Sequence, residues 1–461
     1  MDILKNCRSA KFLLLLLLTT LLGCASTKGP RPQTAGDKGP PAALQEFWKN
    51  PDGLLQEAKK AYDAGDSDLA TTALNRILNT YPKSDADGEA QKLLTEIQIR
   101  TGSDRFKIGV LLPLTGSFAR FGEASLDGIG CAVGLFDPCG SPASKVQVVV
   151  FDTKGDPARA ALGAKELIEK EKVSAVIGPL LSVDFSEAAS TAQQLQTPMI
   201  LLAPQEGATQ KGDFIFQHAL MPQEEVDALV EKINGLGMKK FVVFYPTNRY
   251  GEQYKSLFLI TLQSKGAGKI IQATSYSPDI PDFLGIVEQA MQNPAVDKMI
   301  QSNGASKLGI FIPDAYKQAS EIAQSLDALS IKGPKLIGTS RWYHPQLLET
   351  SAQSLEGAVL DTLFFAEGPR ESTHQFSETF FKAYGSQPAW LEAFGFDATR
   401  LILYAYANRK GETGIAMRDA LLTIQNFPSV VGPLSWNGSR ISQWPLDFIT
   451  VENGKFVPLA K

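Results

Sequence analysis

The sequence has little that would support chemistry at a metal or a nucleophile. Its 461 residues include three histidines, His218, His344 and His374, none at metal-ligand spacing, and His-Glu-x-x-His is missing. Neither a Gly-x-Ser-x-Gly elbow nor a Walker loop occurs. Gly128 and Gly130 with Gly134 fall one residue off the dinucleotide-binding spacing and inside a helical pattern, so they read as helix-packing glycines. An enzyme is therefore unsupported, and no metal or cofactor is called for. Charge of one sign is scarce too. Lys and Arg total 45 against 49 Asp and Glu, a net charge of −4, which removes the electrostatic case for nucleic acid. Beyond residue 22 no apolar run approaches the roughly 20 residues of a membrane-spanning helix. What remains is an ordinary globular composition, 44% hydrophobic and 20% charged. The length calls for one large or two to three small domains.

Cysteine is rare as well: Cys7, Cys24, Cys131 and Cys139. The first two belong to an N-terminal segment with three parts. Lys5, Arg8 and Lys11 form a basic start, and Phe12 to Leu22 form an apolar run broken by Thr19 and Thr20. That run has the length and flanks of a signal-peptide core. Leu21-Leu22-Gly23-Cys24 resembles the lipobox at which bacterial lipoproteins are cleaved and acylated. The resemblance implies a signal peptide over 1–23 and a lipid on Cys24. With Ala25 rather than Asp after the cysteine, it also implies sorting to the outer membrane, facing the periplasm. Cys131 and Cys139 would then occupy an oxidising compartment. Asp137-Pro138 and Gly140 point to a chain reversal there, which leaves open a local disulfide or two free thiols.

Residues 24–47 are polar and rich in Pro and Gly, and read as a flexible tether reaching on the order of 25 Å r.m.s.. Residues 48–103 are helical in pattern. Leu54, Leu55, Ala58 and Tyr62 recur at helix spacing, Gly65-Asp66 turns the chain, and Leu69, Ala70, Ala73, Leu74, Ile77 and Leu78 form the next face. Ala58, Tyr62, Gly65-Asp66, Ala70 and Pro82 resemble little more than one tetratricopeptide repeat. Such a piece is too short to be a stable solenoid alone. It must pack on the main body, on a partner or on another copy, or serve as a plain helical spacer.

From Phe106 the pattern changes. Val- and Ile-rich runs (108–112, 146–151, 175–177, 199–202, 241–245, 308–312, 336–337) alternate with helical patterns (158–170, 186–195, 224–236, 318–329). Continuous apolar strands between helices predict parallel sheets covered on both faces. The number of units predicts two α/β lobes. Ligands of such folds sit beyond the carboxyl ends of strands.

The residues after those strands carry a resemblance. Lys107 to Gly116 with Phe121-Gly122 and Gly128, Asp152 to Pro157, Val173 to Gly178 with Ser182, Tyr250-Gly251, and Ala393 to Ala398 occur in the order of the type I periplasmic binding proteins. These include the leucine/isoleucine/valine-binding branch. The resemblance covers 104–461 and implies a two-lobed clamshell (lobe 1 about 104–220 and 365–435, lobe 2 about 221–364 and 436–461) closing on a ligand. It places Ser182 where the family's carboxylate-binding serine lies, Phe121 and Tyr250 where aromatic cleft residues lie, and Thr115 among the ligand-binding residues of the loop after the first strand. Gln205 and Gly207 stand in the stretch where amino-acid binders carry a small residue and a threonine. Asp314, Tyr316, Ser340 and Trp342 belong to loops facing the cleft from lobe 2. By the same resemblance, the acidic residue that pairs with an amino acid's ammonium is replaced by Ser340 or Arg341, which counts against classical branched-chain amino-acid binding unless Glu206 or Asp314 substitutes for it.

Two functions follow from the resemblance. One is a receptor handing a small polar metabolite, such as an amino acid or amide, to an ABC permease. The other comes from the order of lipobox, tetratricopeptide-like helices and clamshell, which resembles the penicillin-binding-protein activators, outer-membrane lipoproteins that stimulate a peptidoglycan synthase.

Overall fold

The computed structural model describes residues 50–81, 83–101, 106–139, 146–301 and 304–459. The expected signal peptide, the lipidation site Cys24 and the tether lie outside the described residues.

Three helices open the described chain. α1 (Pro51–Asp63) begins where Asn50 accepts the Gly53 N–H at 2.7 Å and Pro51 supplies the first helical position. Gly65, at φ +85°, turns the chain, and Asp66 caps α2 (Ser67–Thr80) through the Leu69 N–H at 3.0 Å. α3 covers Asp87–Thr101.

The first sheet runs β2-β1-β3-β4-β5, all parallel: β1 (Phe106–Leu112), β2 (Val146–Asp152), β3 (Ala175–Ile177), β4 (Met199–Leu201) and β5 (Ile215–Gln217). Between its strands lie α4 (Ala119–Ala132), α5 (Pro157–Lys165, continued by a π turn to Lys170) and α6 (Phe185–Gln194). The second lobe is α7 (Pro222–Gly235), β6 (Lys240–Pro246), α8 (Arg249–Ser264), β7 (Lys269–Tyr276), α9 (Leu284–Met291), α10 (Pro294–Gln301), β8 (Leu308–Phe311), α11 (Tyr316–Ala328), β9 (Lys335–Gly338), α12 (Pro345–Ser351) and β10 (Val359–Thr362). The chain then returns to lobe 1 as α13 (Glu371–Tyr384), α14 (Trp390–Asn408), α15 (Gly414–Leu422) and the small antiparallel sheet of β11 (Phe427–Ser429), β12 (Gly432–Trp436) and β13 (Ser442–Gln443). β14 (Asp447–Glu452) and β15 (Lys455–Pro458) finish the second sheet antiparallel, in the order β15-β14-β10-β9-β8-β6-β7. The chain thus passes between lobes three times, at 218–221, 363–370 and 444–446. The third passage lies beyond the expected boundary at 435, because β13 still pairs with β12 and Ile441 bridges to Gln217 on the lobe 1 side.

The helical segment is part of lobe 1. Leu54, Ala58, Ala73, Leu74 and Ile77 share one buried core with Val146, Val148 and Val150 of β2 and with Leu126 and Ile129 of α4. Buried Arg76 reaches Asp127 at 3.8 Å. Of the packing alternatives, the main body is the one realised. β2 is the edge strand of its sheet, and α2 packed against it shields an edge that would otherwise recruit other strands. Cys131 and Cys139 are joined, their Cα atoms 5.0 Å apart, at the carboxyl end of α4.

The passages between lobes are tied together. His218, on the first, is fully buried between Phe394 of α14 (4.5 Å between ring centres) and Trp444 on the third (5.4 Å), and its Nδ1 lies 2.9 Å from Ser442 Oγ of β13. Burial lowers its pKa to about 3. A histidine depressed in the folded state keeps its proton off while the unfolded chain takes one up, so stability falls as pH drops below about 6.5. Between pH 7.5 and 5 this amounts to about 2 kcal/mol from His218 alone. The matching loss in urea unfolding free energy is expected in the native chain and missing in His218→Gln; an equal slope in both would show that His218 titrates normally.

Candidate functional site

The facing rims of the lobes are the loops at the carboxyl ends of the parallel strands. On lobe 1, Asp152 ends β2 buried and organises its neighbours. Its Oδ1 accepts the N–H groups of Leu114 (2.8 Å), Thr115 (3.3 Å) and Lys154 (2.9 Å), and its Oδ2 accepts the Thr115 hydroxyl at 2.5 Å. Asp152 is therefore a buried anchor, and the Thr115 hydroxyl is committed to it. Asp156 caps α5 through the Arg159 N–H at 2.8 Å. Phe121 lies half-buried inside α4, packed against the lobe 1 core, with the Arg120 guanidinium 4.8 Å from its ring centre.

Among the residues that lobe 1 exposes on these loops are Ser117, Phe118 (43%), Lys154, Asp156, Ser182 and Val183 (67%). Phe118 and Leu181 lie over Gly155, where a Cβ would come within 2.9 Å of the Phe118 ring. Ser182 makes no N-cap; Asp184 occupies that position of α6, buried, with its pKa pushed up to about 6 by burial and by Asp156. After β4 the chain turns through half-buried Gln205, exposed Glu206 and Gly207 at φ +73°. Glu206 accepts the Gln253 side-chain N–H at 3.2 Å, joining the lobe 1 rim to the start of α8 on lobe 2.

Lobe 2 answers with an interlocked polar cluster. Tyr250 lies half-buried with its hydroxyl 2.9 Å from Thr339 Oγ1, its ring 4.2 Å from that of Tyr254, and the exposed Arg341 guanidinium 4.4 Å over its face. Ser340 donates both its N–H (3.0 Å) and its hydroxyl (2.8 Å) to Glu225 Oε1, while the Tyr254 hydroxyl donates to Glu225 Oε2. Fully buried Asp361 of β10 lies within hydrogen-bonding reach of Glu225. Burial and that neighbouring carboxylate hold its pKa well above the usual carboxylate range. The same effects hold the Tyr250 and Tyr254 hydroxyls protonated.

The remaining candidates divide. Asp314 is buried and accepts the Tyr276 hydroxyl and the Ala315 N–H, each at 2.8 Å. Tyr316 stacks on His344 at 4.1 Å and donates to Gln346. Trp342 is not a cleft aromatic. It is fully buried in the lobe 2 core, its indole N–H donating to the Ile312 carbonyl at 3.1 Å, against Gly338, where a Cβ would meet the indole at 2.1 Å. It holds the 339–342 loop from behind, the polar neighbours in sequence having disguised a core residue.

The rim therefore brings Tyr250, Ser340 and Arg341 together on lobe 2 and sets Ser182, Gln205 and Gly207 on the loops of lobe 1. Two kinds of rim residue escape the sequence reading. Glu225, Tyr254 and Asp361 come from two helices and a strand, and Glu225 in the first turn of α7 reads as an ordinary helix-dipole partner. Phe118 and Val183 carried a usable signal, being large apolar residues in turns that follow strands.

Comparison with known proteins adds the following. The model of the family described as periplasmic binding protein matches residues 105–443. A solved putative branched-chain amino acid ABC transporter from Rhodospirillum rubrum superposes with a TM-score of 0.68 at 21% identity, covering 77% of this chain and 100% of that one. Penicillin-binding protein activator LpoA of Yersinia pseudotuberculosis is 23% identical over 459 aligned residues, covering 86% of this chain and 67% of the relative. LpoA of Mannheimia succiniciproducens is 25% identical over 224 residues, 49% of this chain and 37% of the relative, so the chain spans about a third to two thirds of the length of these relatives.

Proposed function

The chain belongs to the periplasmic binding protein family, in its type I, leucine/isoleucine/valine-binding-like branch, and from that premise we propose that it is an envelope receptor whose two lobes close on a small polar ligand, in the manner of an ABC-transporter substrate-binding protein. The observation that carries this reading is a pair of α/β lobes joined by three passages, whose strand-end loops meet where Glu206 of lobe 1 accepts the Gln253 side-chain N–H of lobe 2. Hinge closure on a ligand between such rims is a standard binding motion. Binding, with no bond made or broken, is the whole of the assigned activity, and the lipid on Cys24 would hold the receptor at the membrane.

A second reading has its own support. The helical segment shares a core with lobe 1, and the relative aligned over 86% of the chain is a penicillin-binding protein activator. On this reading the protein is an outer-membrane lipoprotein that stimulates a peptidoglycan synthase. Thermal-shift screening with amino acids, amides, simple carboxylates and muropeptides separates the two. A ligand present at a hundred times its Kd stabilises by about 2.7 kcal/mol. Silence across the panel, together with capture of a peptidoglycan synthase, would replace the first reading by the second.

A further inference from the structure

We infer that lobe 1 carries a second recognition site, a groove in which a short, extended, uncharged segment of a partner protein adds to the free edge of β2 as a further strand. The site is separate from whatever the two lobes close on, since every residue lining it belongs to lobe 1 or to the helical segment.

The backbone of β2 sets up the site. β2 ends its sheet and pairs only with β1 among the described strands. In that parallel pair Leu112 stands opposite Asp152, and its carbonyl accepts the Thr153 N–H at 2.9 Å. Main-chain groups of successive residues point to opposite sides of a strand. Those of Val149, Phe151 and Thr153 therefore face β1, and those of Val148, Val150 and Asp152 face outward. The Asp152 carbonyl bears this out, because it accepts Arg159 Nη2 at 2.9 Å and Nε at 3.2 Å. That guanidinium closes one end of the edge. The outward N–H and C=O of Val150 have no hydrogen-bond partner among the described residues, although Val150 is 2% exposed. A buried main-chain donor and acceptor left in this way call for a partner from outside the chain.

α2 shields the start of β2, but beyond it a cavity of about 420 Å³ opens along Val149–Phe151. Leu78 of α2 and Leu94 of α3 line it on the side of the Val150 side chain, and Phe151 and Leu167 line it on the other. Leu167 lies in the π turn that continues α5, an irregularity that recurs at functional sites. Side chains of an added strand would alternate between these two apolar walls, while its main chain bonds Val150. The rim has no charge to offer. Glu166 pairs with Lys170 at 2.7 Å and Glu171 with Lys107 at 3.6 Å. The complementary segment is therefore apolar and uncharged, and about three residues of it fit the open edge, which spans roughly 10 Å.

A random heptapeptide library displayed on phage, selected on the immobilised full chain and counter-selected on its Gln91→Trp variant, tests this. Gln91 is exposed where α3 lines the cavity, so the indole fills the groove from outside the core and the melting temperature is expected to stay put. Runs of apolar, β-branched residues are expected to be enriched on the native chain. A peptide synthesised from that selection is expected to lose affinity by about tenfold or more when one of its central amide nitrogens is methylated, because the Val150 carbonyl then loses its donor. The methylated peptide tests the pairing without altering the protein. No enrichment over Gln91→Trp, or a selected peptide that tolerates methylation at every central amide, overturns the assignment. Self-association of the chain that Gln91→Trp abolishes would put a second copy in the groove and overturn it too.

Discussion

Alanine at position 128 is expected to lower the unfolding free energy by about 3 kcal/mol. Gly128 lies where α4 crosses α14, and a Cβ there would stand 1.9 Å from the Glu392 carbonyl oxygen and 2.7 Å from its carbon. Seen from the other helix, a Cβ on Gly395 would stand 2.2 Å from the Ser125 carbonyl oxygen. These are backbone atoms, which cannot swing aside as a side chain can. The helices must part, and Leu126, Ile129, Leu401 and Ile402, buried in the core they share, lose contacts with them. Helix propensity acts in the opposite direction, since alanine is favoured over glycine by about 1 kcal/mol in a helix interior. The clash must exceed that gain. Gly285 in α9 provides the contrast, because a Cβ there meets nothing within 4 Å. Gly285→Ala is expected to raise stability by about 0.5 kcal/mol. Urea unfolding of both variants checks the pair. Stabilisation by Gly128→Ala would mean that α4 and α14 are not in backbone contact.

Removing the Glu225 carboxylate is expected to cost about 3 kcal/mol or more, at about 1 to 3 kcal/mol for each buried donor left without an acceptor. Glu225→Ala strands the Ser340 N–H, the Ser340 hydroxyl and the Tyr254 hydroxyl at once, and leaves Asp361 without its neighbour. Buried donors with no acceptor are far more damaging than the net worth of the bonds they made. Glu225→Gln keeps one acceptor oxygen for Ser340 and is expected to cost only about 1 to 2 kcal/mol. The two variants also differ in their consequences at the rim. Ser340 begins the turn that carries Arg341, so the alanine variant should lose ligand affinity along with stability. A pH series adds a sign. A carboxyl raised in the folded state, as Asp361 is, favours folding below its unfolded value, and that contribution is lost as pH rises through the folded value. Burial is the first cause of that rise and Glu225 the second, so Glu225→Gln should shrink the loss on the alkaline side. Equal unfolding free energies for the alanine and glutamine variants would sink this account of the cluster.

Much of the architecture was legible in the residues themselves. The run Ala175–Ile177 is β3 to the residue, and the runs at 146–151, 199–202 and 308–312 fall within one residue of β2, β4 and β8. These strands are buried on both faces, β2 at its edge position by the helices packed against it, so their composition is dominated by apolar residues. β7 escaped because its sequence, Lys-Ile-Ile-Gln-Ala-Thr-Ser-Tyr, belongs to an edge strand, largely half-exposed and mixed in polarity. β5 (Ile-Phe-Gln) and β10 (Val-Leu-Asp-Thr) escaped because Gln217, and Asp361 with Thr362, break their short apolar runs. The glycines at 128 and 130 were recognisable as packing positions from spacing alone.

The site was less legible. Tyr250 and Ser182 could be located because they follow strands in a recognisable order. Trp342 could not be assigned correctly, since Arg341, Tyr343 and His344 around it suggest a surface loop while the indole turns inward onto Ile312.

The sequence by itself determined the two-lobed α/β plan, the N-terminal helical hairpin and the rim loops, because burial on both faces of a strand and capping of a helix are written in local composition. Only the tertiary structure decided that the hairpin covers β2 and that Cys131 meets Cys139. It alone also decided that Glu225 and Asp361 stand behind Ser340, and that the Arg341 guanidinium lies over the Tyr250 ring. Those outcomes depend on which groups from distant segments share one desolvated volume, where every donor must find an acceptor, and no local pattern records that pairing.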